Sequence, residues 1–298
     1  MDDLENLRKR MLENAKRGIK KSYESEEYAL IQAINAYLQL SKSYNLLYER
    51  LSEWLGIYVP ELGLQGQRQL MDLSLAIAEG NATKERLSEI LGSSSAAEGI
   101  EKKIASTMGR KLTGEEKQAF AELARLGVNT ANTLTSLEDY IAGASGRIMP
   151  NATYLTDPKI AAEMLSKAGS LERMAIMPAS TIQLLGAEKA LFKHIKFGSK
   201  SPKYGVLFKL PKVSGGRKDL RGKIARIYAT KISIALKADY FSKRFIAKEL
   251  KENLDESIKK IEAQPERKRN ENAQPYAKRW GYNRRQGGSR RNFGQKRR

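Results

Sequence analysis

Few residues in this 298-residue chain could carry catalytic chemistry. The sequence has no cysteine and one histidine, His194, so thiol nucleophiles, disulfides, zinc ribbons and His-rich metal sites are excluded. His194 lies between Lys193 and Lys196 in a predicted helix, a setting that favours a surface or packing role over a place in a catalytic triad. Asp239 has no second carboxylate close by in the sequence for acid–base work. Gly216 and Gly222 resemble the glycines of a phosphate-binding loop, but five residues separate them instead of four, and Ile224 replaces the hydroxyl residue that would hold magnesium. We therefore expect a protein that is not an enzyme and binds no metal or cofactor.

The charge of the chain points instead to a polyanionic partner. It has 54 Lys+Arg against 34 Asp+Glu, a formal net charge of +20. Residues 1–150 contain 19 basic and 21 acidic residues, whereas residues 151–250 contain 20 and 7. Residues 251–263 contain 3 and 4, and residues 264–298 contain 12 and 2. This asymmetry favours an assembly half followed by a nucleic-acid-binding half, with an anionic membrane surface as the second choice of partner.

A cluster of lysines lies in the sequence GAEKALFKHIKFGSKSPKYG, residues 186–205. Three of them are spaced four and three apart, which places them on one face of a helix, and two more follow in a Gly/Ser/Pro-rich loop. They are Lys189, Lys193, Lys196, Lys200 and Lys203. Such a face can straddle a ridge of RNA phosphates, although each lysine taken singly would be a solvated surface charge.

The elements that must position this cluster are helices. Apolar residues follow a 4-3 spacing over residues 30–58, and again over residues 120–141 of a helix that begins at Thr113. A helix over residues 67–91, interrupted near a glycine, lies between them, and residues 92–99 are typical of a loop. The pattern predicts an antiparallel hairpin of long helices that also dimerises. A compact helical bundle is the alternative.

Shorter helices are predicted after Pro150, over residues 157–165 and 171–176. A further helix that begins at Ser180 or Thr181 would turn Leu191 or Phe192 toward the core. A loop from residue 196, with a short extended piece at residues 206–210, would follow. The last long helix, residues 220–261, would bury an apolar face of Ile224, Ile227, Ile234, Ala238, Phe241 and Phe245. The sequence from Gln264 mixes basic residues with aromatic residues and glycine. It is too polar to fold, and it suits either non-specific single-strand contacts or a solubilising role.

Four separated stretches carry a resemblance to a known family. They are GAEKALF at residues 186–192, AGSLERMAIMPAST at residues 168–181, RGKIARIYATKISIALKAD at residues 221–239 and LLYERLSEWLGIYVPEL at residues 46–62. They occur in the family's order, and the similarity covers about residues 25–261. The chain is thereby identified as a member of the Nop-domain family, which includes the scaffold of archaeal box C/D small ribonucleoproteins, its eukaryotic nucleolar relatives and a spliceosomal factor.

The resemblance implies an all-α fold with an elongated antiparallel coiled-coil hairpin, a helical Nop RNA-binding lobe and a disordered basic tail. The implied domains are an N-terminal helical segment at residues 1–24, a coiled-coil dimerisation domain at 25–147, the Nop domain at 148–262 and the tail at 263–298. Family members usually begin with a separate domain that holds fibrillarin, the 2′-O-methyltransferase. Only about 25 residues precede the hairpin here, so this sequence lacks the usual domain; we expect it to be encoded elsewhere, to have been left out of this sequence or to be absent from the protein.

The resemblance also implies the site residues. The lobe would recognise a kink-turn RNA that already carries a ribosomal-type kink-turn-binding protein. The residues expected at that protein are Gly186, Ala187 and Glu188. Those expected at the RNA are Lys189, Lys193, Lys196, Lys200, Lys203, Tyr204, Arg221, Lys223 and Arg226. Tyr204 stands where the family often has histidine, and a tyrosine can still stack on a base.

The function implied is that of a non-catalytic scaffold of a box C/D guide ribonucleoprotein, which directs RNA 2′-O-methylation. Its partners would be a kink-turn guide RNA, the kink-turn-binding protein, a second copy through the coiled coil and fibrillarin, with no membrane. One alternative is a splicing-type factor that binds a kink-turn small nuclear RNA, and another is a general basic coiled-coil structural protein. We expect an archaeal cytoplasmic protein, or a nucleolar one if the source is eukaryotic.

Overall fold

The computed structural model describes residues 2–63 and 66–265, and the predicted disordered tail beyond residue 265 lies outside the described residues. Every regular element in the described part is helical, which confirms the all-α fold. The α-helices are α1 (Asp2–Tyr23), α2 (Glu26–Tyr58), α3 (Gln67–Glu79), α4 (Lys84–Leu91), α5 (Ser94–Ala105), α6 (Gly114–Ile148), α7 (Pro150–Leu155), α8 (Pro158–Ala168), α9 (Leu171–Ile176), α10 (Ala179–Leu184), α11 (Glu188–Phe197), α12 (Pro211–Ser214), α13 (Arg221–Lys237) and α14 (Ala247–Glu262).

The two long helices α2 and α6 pack antiparallel. The Tyr37 hydroxyl donates to the Glu138 carboxylate at 2.5 Å, and the rings of Trp54 and Phe120 meet edge to face with centroids 5.4 Å apart. These pairs run in opposite order along the two helices, as an antiparallel hairpin requires. The predicted 4-3 stripe forms the packed face: the residues of α2 that are buried are Leu30, Ile31, Ile34, Tyr44, Leu51, Leu55 and Tyr58.

Helix α3 packs against the middle of α6, where the predicted stripe is interrupted by Gly127. A Cβ atom at Gly127 would lie 2.4 Å from the sulfur of Met71, which is fully buried. The glycine therefore leaves the space that Met71 fills. The interruption of the stripe marks the place where the third helix crosses.

The prediction of a loop over residues 92–99 is wrong. The Ser93 hydroxyl accepts the backbone N–H of Ala96 and begins α5. Ala97 and Ile100 are then buried in a cluster with Leu73 and Leu87. Serine caps a helix as readily as it occupies a loop, so the outcome depended on the apolar neighbours that α3 and α4 provide. The predicted interruption of the preceding helix is confirmed, between α3 and α4.

The predicted continuous last helix is broken. After α13 the chain forms a π-helical turn, Ala238–Ser242, and then non-helical residues before α14. The carboxylate of Asp239 accepts the backbone N–H groups of Asn151 and Ala152, each at 3.0 Å, and the Asn151 side-chain amide at 2.7 Å. Burial raises the pKa of Asp239 above its ordinary value, and these three donors oppose the rise. The break is thus fixed by a partner about 90 residues earlier in the chain.

The predicted apolar face of that helix is half wrong. Ile224 and Ala238 are buried, but Ile234, Phe241 and Phe245 are 42%, 64% and 52% exposed. The π-helical turn changes the angular register of the residues after it, so a 3.6-residue periodicity cannot be continued across it to Phe241 and Phe245. Ile234 precedes the turn, and its exposure is a separate error of the predicted face.

Internal contacts divide the chain into two compact units. The first unit comprises the described residues up to Ile176 together with Ile234–Glu249. The second comprises Met177–Ser233 and residues 250–265. The domain boundaries after residues 24, 147 and 262 stay predictions. Among residues 2–63 and 66–265, no helix combines the length and the apolar character that crossing a bilayer demands.

Candidate nucleic-acid interface

The site in the second compact unit is built around a turn at Gly186 that separates α10 from α11. Gly186 has φ +85°, and a Cβ atom there would lie 2.7 Å from the Cγ2 atom of Val206. The prediction of one continuous helix from Ser180 or Thr181 through Phe192 is therefore wrong, because the chain needs a left-handed residue at Gly186. Gly186 thus lies in close contact with another segment of the same unit, and its expected place at a partner protein stays a prediction.

Glu188 holds this turn from the first residue of α11. Its Oε1 atom accepts the backbone N–H of Gly186 at 2.6 Å. The preceding residue, Ala187, is the N-cap of the helix and makes no side-chain cap. Glu188 is exposed, so its carboxylate also faces outward. A contact of Glu188 with a partner protein stays a prediction.

Helix α11 contributes no buried side chain. Its three predicted lysines, Lys189, Lys193 and Lys196, are exposed and share one helix face. The Lys196 ammonium lies 5.6 Å from the ring centroid of Phe192 and 5.5 Å from that of Phe197. Phe192 and Phe197 are 60% and 68% exposed, whereas Leu191 is half-buried, so of the two residues predicted for the core side of this helix Leu191 is the one that turns inward. The helix presents cations and rings together to the outside.

The loop that follows α11 and carries Lys200 and Lys203 is held in position by hydrogen bonds to Gln183, which is 8% exposed. The Gln183 side-chain amide donates to the Lys203 carbonyl at 2.6 Å, and the Gln183 carbonyl accepts the N–H of Gly205 at 3.0 Å. A Cβ atom at Gly205 would lie only 1.9 Å from the carbonyl oxygen of Leu185. The sequence Tyr-Gly at the end of this loop thus needs glycine for close backbone contact.

The structure brings four predicted cations together around one cavity of about 740 Å³. Gly222 allows this, because the methylene stem of Lys203 lies against it, 3.3 Å from where a Cβ atom would stand. One carboxylate, that of Asp219, is among the lining groups. The predicted residues that line the cavity are Lys200, Lys203, Lys223 and Arg226. Lys189, Lys193 and Lys196 do not line it, so the predicted lysine cluster is divided between the cavity and α11.

Tyr204 and Arg221 belong to a stack that sequence reasoning missed. The ring of Tyr204 stacks on Phe208, with centroids 4.8 Å apart and planes 12° from parallel. The guanidinium carbon of Arg221 lies 5.6 Å from the Phe208 centroid, while Arg221 Nε donates to the Gly216 carbonyl at 2.9 Å. Residues 206–209 are a 3-10 helix, so the predicted extended piece there is wrong. The i, i+4 spacing of the two rings was the available signal for the stack.

Two further polar groups at the site were also missed. The Arg217 guanidinium donates to the Gln264 carbonyl at 2.9 Å and pairs with Asp219 at 3.3 Å. The Lys223 ammonium donates to Oε1 of Gln264 at 2.5 Å. Residues 217 and 223 are thereby fixed by a residue some 40 positions later in the chain, which no local pattern indicates.

A family model described as "Nop: snoRNA binding domain, fibrillarin" matches residues 36–260 of this chain. An uncharacterized NOP5 family protein of Methanocaldococcus jannaschii is 36% identical over 252 residues, which are 84% of this chain and 60% of that protein. Nucleolar protein 56 of Dictyostelium discoideum is 36% identical over 240 residues, 77% of this chain and 44% of that protein.

Nucleolar protein 58 of Schizosaccharomyces pombe is 35% identical over 228 residues, 75% of this chain and 44% of that protein. This chain therefore spans about half of the length of these relatives. A solved chain titled as a fibrillarin/Nop5p complex superposes with a TM-score of 0.48 and 24% identity, over 86% of this chain and 77% of that chain. Because the family model covers some three quarters of the sequence and includes the entire cavity apart from Ile261, the chain belongs to the Nop family.

Proposed function

We propose that this chain is a non-catalytic scaffold of a box C/D guide ribonucleoprotein that directs RNA 2′-O-methylation. Its second compact unit would bind the composite surface of a kink-turn RNA and a ribosomal-type kink-turn-binding protein. The observation that carries the proposal is the cavity with four cationic side chains, which lies within the segment matched by a small nucleolar RNA-binding family model.

The cavity suits the backbone of a folded RNA. Its four cations come from two different segments, the loop with Lys200 and Lys203 and the helix with Lys223 and Arg226. They therefore lie around a cavity and do not form a linear array along one helix. A bent RNA brings phosphates from separate strands close together, and a concave cationic surface matches that arrangement better than it matches a straight duplex.

Helix α11 suits a target made of both RNA and protein. Its lysine face is complementary to phosphate, while Ile195 on another face is 74% exposed and apolar. An exposed isoleucine side chain contributes little binding free energy against RNA phosphates, whereas its burial against an apolar surface of a protein is favourable. The exposed mixed character of α11 therefore supports the proposed composite target.

We further propose that the hairpin of α2 and α6 forms the homodimer. Leu46 and Leu126 are 60% and 53% exposed on these helices, beyond what the internal packing uses. Fibrillarin, which the family description names, is proposed as the methyltransferase partner. A eukaryotic source would place the particle in the nucleolus, as the names of the nucleolar relatives suggest.

The order of assembly tests the proposal. A labelled kink-turn RNA should bind this chain weakly alone and at least tenfold more tightly once saturated with the kink-turn-binding protein. A straight duplex of equal length should show no such gain. Equal affinity for both RNAs with no effect of the helper protein would contradict the proposal and favour a general basic nucleic-acid-binding protein.

The role of Glu188 can be separated from its structural role with two variants. Glu188→Gln keeps an oxygen to accept the Gly186 N–H, whereas Glu188→Lys removes the acceptor and reverses the charge. We expect Glu188→Lys to prevent ternary assembly while light scattering still shows a dimer. If Glu188→Gln is equally impaired, the carboxylate charge matters to the partner protein; if it is intact, the hydrogen bond to the turn is what matters.

A further inference from the structure

Five consecutive exposed residues, Phe-Ser-Lys-Arg-Phe at 241–245, lie in the first compact unit just before α14. Phe241 and Phe245 are 64% and 52% exposed, and Tyr154 on α7 is 50% exposed. The rings of Tyr154 and Phe245 meet edge to face at 5.7 Å, and those of Tyr240 and Phe241 at 4.9 Å. Exposing a cluster of phenylalanine and tyrosine rings to water is unfavourable, and exposed apolar patches of this kind mark binding sites.

The backbone under these rings is held in place by buried polar groups. Asn151 donates its side-chain amide to the Arg244 carbonyl at 2.8 Å and accepts the N–H of Ile246 at 2.7 Å. The same side chain bonds to the carboxylate of Asp239, which is 2% exposed. The five residues are therefore fixed at both ends, and their exposure is a property of the folded unit.

Lys243 gives this segment an unusual conformation. Its φ of +55° is the only positive φ at a non-glycine residue among residues 2–63 and 66–265, and its N–H closes the π-helical turn on the Ala238 carbonyl at 2.7 Å. Left-handed non-glycine residues and π-helical turns both occur preferentially at functional sites. Here they turn Phe241 and Phe245 outward on either side of two cations.

The charge around the rings selects among possible occupants. Lys243 and Arg244 stand between the two phenylalanines, Lys243 lies 5.9 Å from the Tyr240 ring, and Lys237 and Lys248 are exposed nearby in the sequence. A second copy of this cationic surface would be repelled, as would the basic sequence beyond Gln264. Rings with interleaved cations are what unpaired nucleotides require, because bases stack on the rings and phosphates pair with the cations.

We propose that Tyr154, Phe241 and Phe245, with Lys243 and Arg244, form a binding site for single-stranded RNA in the first compact unit. This site is distinct from the cationic cavity of the second unit and reads no base sequence. It rests on the proposed function only in taking RNA as the natural ligand.

Fluorescence anisotropy of a labelled twelve-nucleotide single-stranded RNA tests the proposal on the full chain. Phe241→Ala/Phe245→Ala should weaken binding at least fivefold, since one base–ring stack contributes about 1 kcal/mol or more and 1.4 kcal/mol is tenfold. Phe241→Leu/Phe245→Leu should weaken it similarly, because leucine keeps the apolar volume but not the ring. An oligonucleotide with abasic positions should bind the wild type as weakly as it binds these variants.

A matched control exists in the same unit. Tyr23 and Tyr28 also meet edge to face at 5.7 Å and are exposed, but the charged residues between them in the sequence are the carboxylates Glu24, Glu26 and Glu27, whereas Lys243 and Arg244 lie between Phe241 and Phe245. Tyr23→Ala/Tyr28→Ala should leave the affinity unchanged. Photocrosslinking with 4-thiouridine RNA should label the tryptic peptides that contain Phe241 and Phe245, and not those of the control pair.

Retention of affinity by the leucine variant would overturn the proposal and favour an apolar contact with an acidic protein. Absence of crosslinks at residues 240–248 would also overturn it. The outcome is separable from that of the proposed function. Loss of dependence on the kink-turn-binding protein would refute the scaffold role without affecting the single-strand result, and the phenylalanine variants should still form the ternary complex with a kink-turn RNA that has no single-stranded extension.

Discussion

Removal of the four cations of the cavity should change the salt dependence of RNA binding by a calculable amount. The perturbation is the fourfold alanine variant of the predicted residues that line the cavity, at positions 200, 203, 223 and 226. Asp219 is the one carboxylate among the lining residues, and Arg217 already pairs with it at 3.3 Å. The four cations are therefore available to neutralise phosphates.

The magnitude follows from the release of counterions. Each phosphate that a cation neutralises contributes roughly 0.7 to 0.9 to the slope of log K against log salt concentration. Four such contacts amount to a slope difference of roughly 3 to 3.5. Between 50 and 200 mM salt, a slope difference of 3 corresponds to about a 60-fold smaller loss of affinity in the variant than in the wild type.

The assay is a titration of kink-turn RNA, saturated with its binding protein, at five or more salt concentrations. Lys203→Ala alone should reduce the slope by a little less than one unit. Lys42→Ala, an exposed lysine of α2, is the matched control and should leave the slope as it is. A thermal unfolding curve of each variant checks that the second unit still folds.

An unchanged slope in the fourfold variant would refute the assignment of the cavity to phosphate binding. A uniform drop in affinity at every salt concentration, with the slope of the wild type, would likewise contradict it, since this result indicates lost packing and not lost ion pairing. If the fourfold variant has a smaller slope than the wild type with a straight duplex but the same slope with kink-turn RNA, the cavity binds duplex phosphates and not the kink-turn.

Three other perturbations follow from the structure. Asn151→Ala should destabilise the chain by about 2 to 4 kcal/mol in urea unfolding, because it removes one of the three donors to the buried Asp239 carboxylate and leaves the Arg244 carbonyl and the Ile246 N–H without their side-chain partner. Hydrogen bonds from the Tyr37 hydroxyl and the Lys159 ammonium hold the pKa of Glu138 below its ordinary value. The ionised carboxylate therefore stabilises the fold at pH values above the unfolded pKa of about 4.3, and this stabilisation is lost as the pH falls below that value toward the lower folded pKa. Glu138→Gln should thus lower stability at pH 7 by no more than about 1 kcal/mol, the pair being partly exposed, and should flatten the dependence below pH 4.5. Deletion of residues 266–298, with 12 basic residues, should weaken RNA binding and flatten its salt dependence; an unaltered slope would leave this segment a solubilising role.

The long helices could be predicted from the sequence because their signal is local. A 4-3 apolar spacing requires only that a helix bury one stripe, and α2 and α6 do so along the predicted faces. The start of α6 at Thr113, the start of α8 at Asp157 and the bounds of α9 were also within reach, since capping residues and prolines act over one or two positions, whereas α8 runs three residues beyond its predicted end at residue 165. The cationic character of the second half followed from charge counts alone.

The breaks and the grouping of the site residues could not be predicted in this way. Helix α13 ends next to Asp239, whose carboxylate accepts hydrogen bonds from Asn151 and Ala152. The residues around position 239 carry no local sequence signal for these bonds. The apolar spacing predicts that Phe241 and Phe245 are core residues, because this prediction assumes a continuous α-helix and does not detect the π-helical turn. Their exposure is decided by the turn and by the Asn151 bonds.

The sequence by itself determined which family this chain belongs to, which residue types it offers to RNA and where its principal helices run. Only the tertiary structure decided that Lys200 and Lys203 join Lys223 and Arg226 while the lysines of α11 stand apart. The physical reason is that Gln183, Gly205 and Gly222 set the position of the loop through close contacts between segments up to 40 residues apart. Contacts of that range leave no periodic trace in the sequence.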